Sequence, residues 1–156
     1  MFIETENLVI RNFIDQDTEA LLEIKYDEQV LKYDPTFIKR DATRKDVQKM
    51  IASWQSVKED EICSIGIHYA ICLKNSGIVI GAITVNSLEY LYELQIGWML
   101  NNKYTGKGYA SEAGAAASDY LLEKLSLDYI SVVMDVDNPA SFRTAQKSGF
   151  RLFEKR

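Results

Sequence analysis

Residues 91–112 read LYELQIGWMLNNKYTGKGYASE, and the fold turns on how this stretch is interpreted. Leu94, Ile96 and Trp98 alternate with Glu93, Gln95 and Gly97, the period of two that lays one face of a strand on a core. Asn101 and Asn102 form turns and end the strand. Thr105-Gly106-Lys107-Gly108-Tyr109-Ala110 then leads into an Ala-rich segment, Ala110 to Lys124, that lacks proline and is built of helix formers. Glycines ahead of a helix let the backbone approach a ligand, and the first helical N–H groups lack partners within the helix. Such a turn binds phosphate, and Lys107 adds a point charge.

Two glycines in a loop are also compatible with a plain tight turn. The string GxxxxGK[ST] does not occur in the chain, and GxGxxG fails at its last position, where Ser111 follows Gly106 and Gly108. A doubly wound dinucleotide fold would need a longer sheet than the remaining residues allow. A nicotinamide-binding fragment, with Asp135 or Asp137 holding a ribose, is therefore a weak alternative.

Working outward, the 156 residues are expected to form a single domain, 1–156, with a sizeable core. A net charge of −5, from 18 basic and 23 acidic residues, argues against nucleic-acid binding and suits an amine substrate. Cys63 and Cys72, in a chain that opens without an apolar signal segment, lead us to expect a reduced, cytoplasmic protein. Neither cysteine has metal-ligand spacing, so no metal is expected. No run approaches the roughly eighteen apolar residues of a membrane span, so no membrane role is expected. His68, in the apolar run SIGIHYAICL, reads as a packed or edge residue.

In chain order, Leu8, Ile10 and Phe13 mark a first strand. Asp15 and Asp17 are placed to cap a helix whose apolar stripe is Ala20, Leu21, Ile24 and Leu31. Lys32 to Ala42, with Pro35, Tyr33 and Phe37, reads as a loop that could wall a pocket. Thr43 and Asp46 form a capping box for a second helix, 43–58. An acidic connection, Lys58 to Glu61, leads to strands Ile67–Leu73 and Ile78–Val85, paired as a hairpin through Lys74 to Gly77. After the opening stretch, Tyr129 to Val136 reads as a buried strand, parallel to the one before it with a right-handed crossover. Asn138 and Pro139 start a last helix and Gly149 stops it. Phe150 to Phe153 reads as a final strand. The expected class is α/β (α+β): a mixed, mostly antiparallel twisted sheet with one parallel β-α-β unit and helices on both faces.

Three stretches together resemble the GNAT superfamily of acyl-CoA-dependent N-acetyltransferases, in particular its Rim-type branch of protein N-terminal acetyltransferases. Glu4-Thr5-Glu6-Asn7-Leu8-Val9-Ile10-Arg11 is similar to the branch's opening. Gln95-Ile96-Gly97-Trp98 through Tyr109-Ala110-Ser111-Glu112 is similar to its coenzyme loop. Asn138-Pro139-Ala140-Ser141 with Lys147-Ser148-Gly149-Phe150 is similar to its last helix. The resemblance implies acetyl-CoA as cosubstrate, its pyrophosphate cradled by Thr105, Gly106, Lys107, Gly108, Tyr109 and Ala110. It implies a pantetheine arm running along a splayed strand at Trp98, Met99 and Leu100, with Asn138 and Ser141 on the facing helix start. For Asn138, helix capping is expected alongside any coenzyme contact.

Transfer in this family is direct attack of a neutral amine on the thioester. The family's usual tyrosine, four residues before the last helix's terminal glycine, is Ala145 here. Ser141 is the expected substitute, hydrogen-bonding the departing thiolate. The glutamate that often precedes Ile-Gly is Gln95 here, which leaves Glu93 as candidate base, directly or through water, or else as a solvated strand residue. Thr105 replaces a longer side chain at the head of the loop. The family usually continues past the Gly-Phe strand to one more strand, and this chain stops at Glu154-Lys155-Arg156. The expectation is an absent last strand, with an open edge that invites a homodimer. The acceptor is expected to be a protein N-terminal α-amine or a small amine. The alternative is a CoA-binding module of the same fold with weakened catalysis.

Overall fold

The computed structural model describes residues 1–34, 38, 41–58, 66–88 and 93–154. The expected loop residues Pro35 and Phe37, most of the 58–64 connection and Cys63 lie outside that set.

Five strands form one antiparallel sheet in chain order: β1 (Phe2–Glu4), β2 (Leu8–Asn12), β3 (Ile67–Leu73), β4 (Val79–Leu88) and β5 (Glu93–Leu100). The single first strand expected over Leu8–Phe13 is in fact a hairpin, with Ile3 opposite Ile10. Thr5 makes the turn: its backbone N–H donates to the Leu8 carbonyl at 2.9 Å and its hydroxyl accepts the Leu8 N–H at 3.0 Å. Three residues are too few to show a period, which hid β1. Phe13 leaves the strand and joins the core on the opposite face from Leu8 and Ile10.

The expected first helix is two helices, α1 (Thr18–Lys25) and α2 (Glu28–Tyr33). The Asp27 carboxylate caps the second by accepting the Gln29 N–H at 3.0 Å. The break shifts the helical phase, so Val30 is buried instead of Leu31. Nor does Asp17 cap α1 with its side chain; it takes the Ile14 N–H at 2.9 Å and the Arg11 guanidinium at 2.7 and 3.0 Å. The capping box before α3 (Arg44–Ser56) forms as expected, Asp46 accepting the Thr43 N–H at 2.8 Å. Its stripe of Val47, Ile51 and Trp54 is buried. The β3–β4 hairpin closes at Gly77, whose N–H reaches the Leu73 carbonyl at 2.8 Å.

The sheet is covered on both faces. On one, Leu8, Ile10, Ile71, Ile83, Val85 and Ile96 pack against Ala113, Ala117 and Leu121 of α4 (Tyr109–Lys124). On the other, Phe13, Ala70, Cys72 and Ala82 meet Leu21 and Ile24 of α1 and the α3 stripe. The last helix, α5 (Pro139–Lys147), starts with Asn138 as N-cap and Pro139 in its first turn.

Two expectations fail beyond α4. The run Tyr129–Val136 is not a buried strand: it touches β5 through one parallel bridge, Gln95 to Ser131. Ile130 is buried while Val133 is 73% exposed, because an alternating run with a neighbour at only one point buries one face. Phe150 to Phe153 is not a strand either. The Phe150 ring lies 6.2 Å from Trp98, but no ladder follows, and Leu152 and Phe153 are exposed. No helix among the described residues is long and apolar enough to cross a membrane.

Candidate functional site

The loop between β5 and α4 brings two left-handed glycines to the start of a helix. Gly106 and Gly108 have φ of +77° and +86°, a region that costs other residues about 1–2 kcal/mol. Thr105 turns its hydroxyl back onto the Asn102 carbonyl at 2.9 Å, closing the turn of residues 102–104. From Gly106 to Ser111, six consecutive backbone N–H groups have no acceptor among the described residues; the next, Glu112 N–H, reaches the Gly108 carbonyl at 3.0 Å. These donors sit at the positive end of a 16-residue helix. The Lys107 ammonium stands 5.9 Å from the centre of the Tyr104 ring.

Beside this loop the sheet parts. Ser131 donates to the Leu94 carbonyl at 3.0 Å and accepts the Ile96 N–H at 2.9 Å. On the other edge, the Asn101 N–H reaches Ile80 of β4 at 2.9 Å. Strand alternation then turns the backbone groups of Trp98 and Leu100 toward the Ser131 side, and those of Met99 toward Ala82 of β4. Past Ser131 no described bond joins β5 to Val132–Met134, so Trp98 and Leu100 face a gap. The Trp98 indole rests on Gly114 of α4, where an added Cβ would come within 3.1 Å of the ring. The Ser148 hydroxyl donates into this junction, with the carbonyls of Ser111 and Thr144 at 3.1 and 3.0 Å.

Beyond the Ser131 segment the chain enters α5, and the end of α2 meets it there. The Asn138 side chain accepts the Ser141 N–H at 3.0 Å, so its capping role is realised. The Ser141 hydroxyl is half-buried and has no hydrogen-bond partner among the described residues. From the opposite face of the sheet, the Tyr33 hydroxyl donates to the Asp137 carbonyl at 3.1 Å. Ala145, at the position of the family's tyrosine, is buried.

Glu93 lies at the far end of β5, about 13 Å of strand from Gly97. Its carboxylate accepts from the Tyr129 hydroxyl at 3.2 Å, and that bond, with the carboxylate's charge, holds the phenol above its ordinary pKa. His68 lies in the ladder row of Thr84 and Gly97, with Nδ1 3.0 Å from the Thr84 hydroxyl and its ring 4.5 Å from Trp54. Burial pushes its pKa down to about 4, so it is a neutral, packed imidazole at physiological pH. Among the described residues, no group of three His, Cys, Asp or Glu side chains is placed to hold a metal ion.

The model of the acetyltransferase (GNAT) domain family matches residues 7–151. This chain belongs to the GNAT family. Its members use acetyl-CoA as acetyl donor. The chain is 33% identical to the uncharacterized N-acetyltransferase YnaD of Bacillus subtilis (strain 168), covering 97% of this chain and 83% of that one. A GNAT-family acetyltransferase structure from Bacillus anthracis superposes with a TM-score of 0.80 at 31% identity, covering 97% of this chain and 84% of that one. RimL, the ribosomal L7/L12 alpha-N-protein acetyltransferase, solved in complex with coenzyme A, shares the fold with a TM-score of 0.79 at 17% identity over 99% and 86% of the two chains.

For this GNAT acetyltransferase, sequence reasoning located the glycine loop, the parting strand and the Asn138 cap. It gave no individual role to Gly114, Ser148 or Glu112, and it read Tyr33 as part of a pocket-walling loop where the structure has the end of α2. Only Gly114 carried a local signal, a glycine inside an Ala-rich helix, which marks a close approach.

Proposed function

We propose that this chain, as one catalytic domain over residues 1–156, transfers the acetyl group of acetyl-CoA to a primary amine by direct attack on the thioester. The observation that carries the reading is the run of six N–H groups at the start of α4 without acceptors among the described residues, beside a strand whose neighbour has left it. The run supplies donors for a pyrophosphate, and the bare edge at Trp98 and Leu100 supplies donors and acceptors for an amide-bearing arm lying along it as an extra strand. Apart from their own chain neighbours, no described residue comes within 4 Å of where a side chain would begin at Gly106 or Gly108, so the backbone is open to an approaching phosphate.

In this reading the Trp98 N–H donates to the thioester oxygen as charge develops there. The amine nitrogen bonds to the carbonyl carbon, the C–S bond breaks, and the thiolate takes a hydrogen bond from the Ser141 hydroxyl. The amine proton leaves through water. Glu93 receives it only through such a chain, given its place at the strand's far end. An α-amine, with a pKa of about 8, needs little help to lose that proton. A protein N-terminus, the substrate type named for RimL, or a small amine is the acceptor. A cytoplasmic setting fits the free, buried thiol of Cys72. The exposed Val133, Val136, Leu152 and Phe153 support a homodimer, and a monomer by light scattering at micromolar concentration would remove that part of the reading.

The first test is thermal unfolding with acetyl-CoA, with NAD as control. A hundredfold excess over Kd stabilises the folded chain by about 2.7 kcal/mol. A shift with acetyl-CoA alone, followed by turnover in a panel of amines, is the expected outcome. No shift at millimolar acetyl-CoA overturns the reading. Gln95 and the buried Ala145, where the family carries a carboxylate and a tyrosine, favour one alternative: a coenzyme-binding module with weakened catalysis. A shift without turnover of any amine would select it.

A further inference from the structure

Glu112 is the only acidic residue in the first turn of α4, next to donors assigned above to a pyrophosphate. A carboxylate there would repel an anion unless its own charge were taken up. Its Oε1 accepts the Thr5 hydroxyl at 2.5 Å and the Asn7 N–H at 2.8 Å, and its Oε2 accepts the Asn7 side-chain amide at 3.0 Å. Although burial, the largest influence, would raise its pKa, these three bonds hold it below the ordinary value. The Thr5–Asn7 turn is fixed in its own right: Lys74 donates its backbone N–H to the Asn7 carbonyl at 2.8 Å and its ammonium to the Thr5 carbonyl at 3.1 Å. One side chain therefore ties the downstream end of the loop to two hairpins of the sheet.

The upstream end has a matching brace. Asp27, between α1 and α2, accepts the Asn102 N–H at 2.7 Å through Oδ2. Between these anchors, the N–H groups of residues 106–111 make no bond among the described residues that would hold the loop in shape. We propose that Glu112 is a positioning residue: with Asp27 at the other end, it fixes the loop in the form that receives the pyrophosphate, and it does so through α4 without touching the coenzyme. The proposal rests on the acetyl-CoA reading above.

The test compares two donors in steady-state kinetics: acetyl-CoA, and S-acetylpantetheine, which carries the same thioester without the pyrophosphate. Glu112→Ala should raise KM for acetyl-CoA about tenfold, the worth of a hydrogen bond to a charged group. It should leave kcat within about twofold and the efficiency with S-acetylpantetheine unchanged. Glu112→Gln, which keeps the acceptor facing Thr5 and the Asn7 N–H, should recover most of the loss. Equal losses with both donors would overturn the proposal in favour of a general role in stability, and an unchanged KM would overturn it outright. Calorimetric titration with coenzyme A separates the two levels of inference. A wild type that does not bind defeats the coenzyme reading, whereas a wild type and Glu112→Ala that bind equally defeat the Glu112 proposal alone.

Discussion

The two edges of β5 are unlike each other. Toward β4 the strand is paired from Glu93 to Leu100, eight residues in unbroken register. Toward the Ser131 segment it holds one bridge and then stands alone. Alternate residues serve the two edges, because main-chain groups alternate sides along the strand. The paired edge fixes the position of Trp98 and Leu100, and the bare edge leaves their amides free. A site of this kind requires both: a strand rigid enough to hold its groups in place, and one side from which the sheet has been withheld.

The paired edge can be broken at Gly81. A Cβ there would collide with the Met99 carbonyl oxygen and come within 2.6 Å of the Leu100 side chain, so Gly81→Ala must push β5 off β4. We expect a loss of about 3 kcal/mol in chemical denaturation, accompanied by weaker coenzyme binding. On the same ladder, His68 makes stability sensitive to acid. With its pKa lowered from 6.5 to about 4, the unfolded chain takes up a proton that the folded chain refuses. Stability from this group is constant above pH 6.5 and falls as the pH drops toward 4, by about 3 kcal/mol at the lower end. His68→Gln should flatten that part of the pH profile, and a wild-type profile identical to the variant's would refute the assignment.

At the bare edge, Ser141→Ala should lower kcat by about tenfold to a hundredfold and leave the KM for acetyl-CoA nearly unchanged, since the hydroxyl acts on the leaving sulfur. A rise in KM instead would make Ser141 a binding residue. The smallest effect concerns the rim of the gap. Asn138→Ala removes the cap of α5 and should cost about 1 kcal/mol of stability in thermal unfolding. Asn138→Asp, which keeps the capping acceptor, should be near neutral for stability and so isolates any effect on the coenzyme.

What the sequence disclosed followed the reach of its interactions. The β5–α4 stretch, the Thr43 and Asn138 caps and the β3–β4 hairpin are set by neighbours a few residues apart, and each was legible. The break at Asp27 was hidden because Leu31 continues the stripe of Leu21 and Ile24 in a linear reading, and only the interruption shows that Val30 is buried. The Tyr129–Val136 run has the composition of an interior strand, but a strand needs a paired neighbour, and only Ser131 bridges to β5. Glu112 is the extreme case. Its partner Thr5 is 107 positions away, and no local pattern distinguishes a carboxylate that braces a loop from one that faces solvent. The parting of the sheet was expected from resemblance alone, while its site, directly after Ser131, needed the structure.

The alternation along β5 also bears on how such a strand can change its letters. In the proposed complex, the groups that meet the coenzyme arm belong to the backbone at Trp98 and Leu100, whose side chains point into the core against α4. Nineteen of the twenty amino acids carry the same amide, so side-chain exchange leaves the recognition surface intact. Only proline erases a letter from it. Ordinary substitution scanning would therefore miss much of this edge, and a backbone ester at residue 98 or 100 is the change that would reveal it.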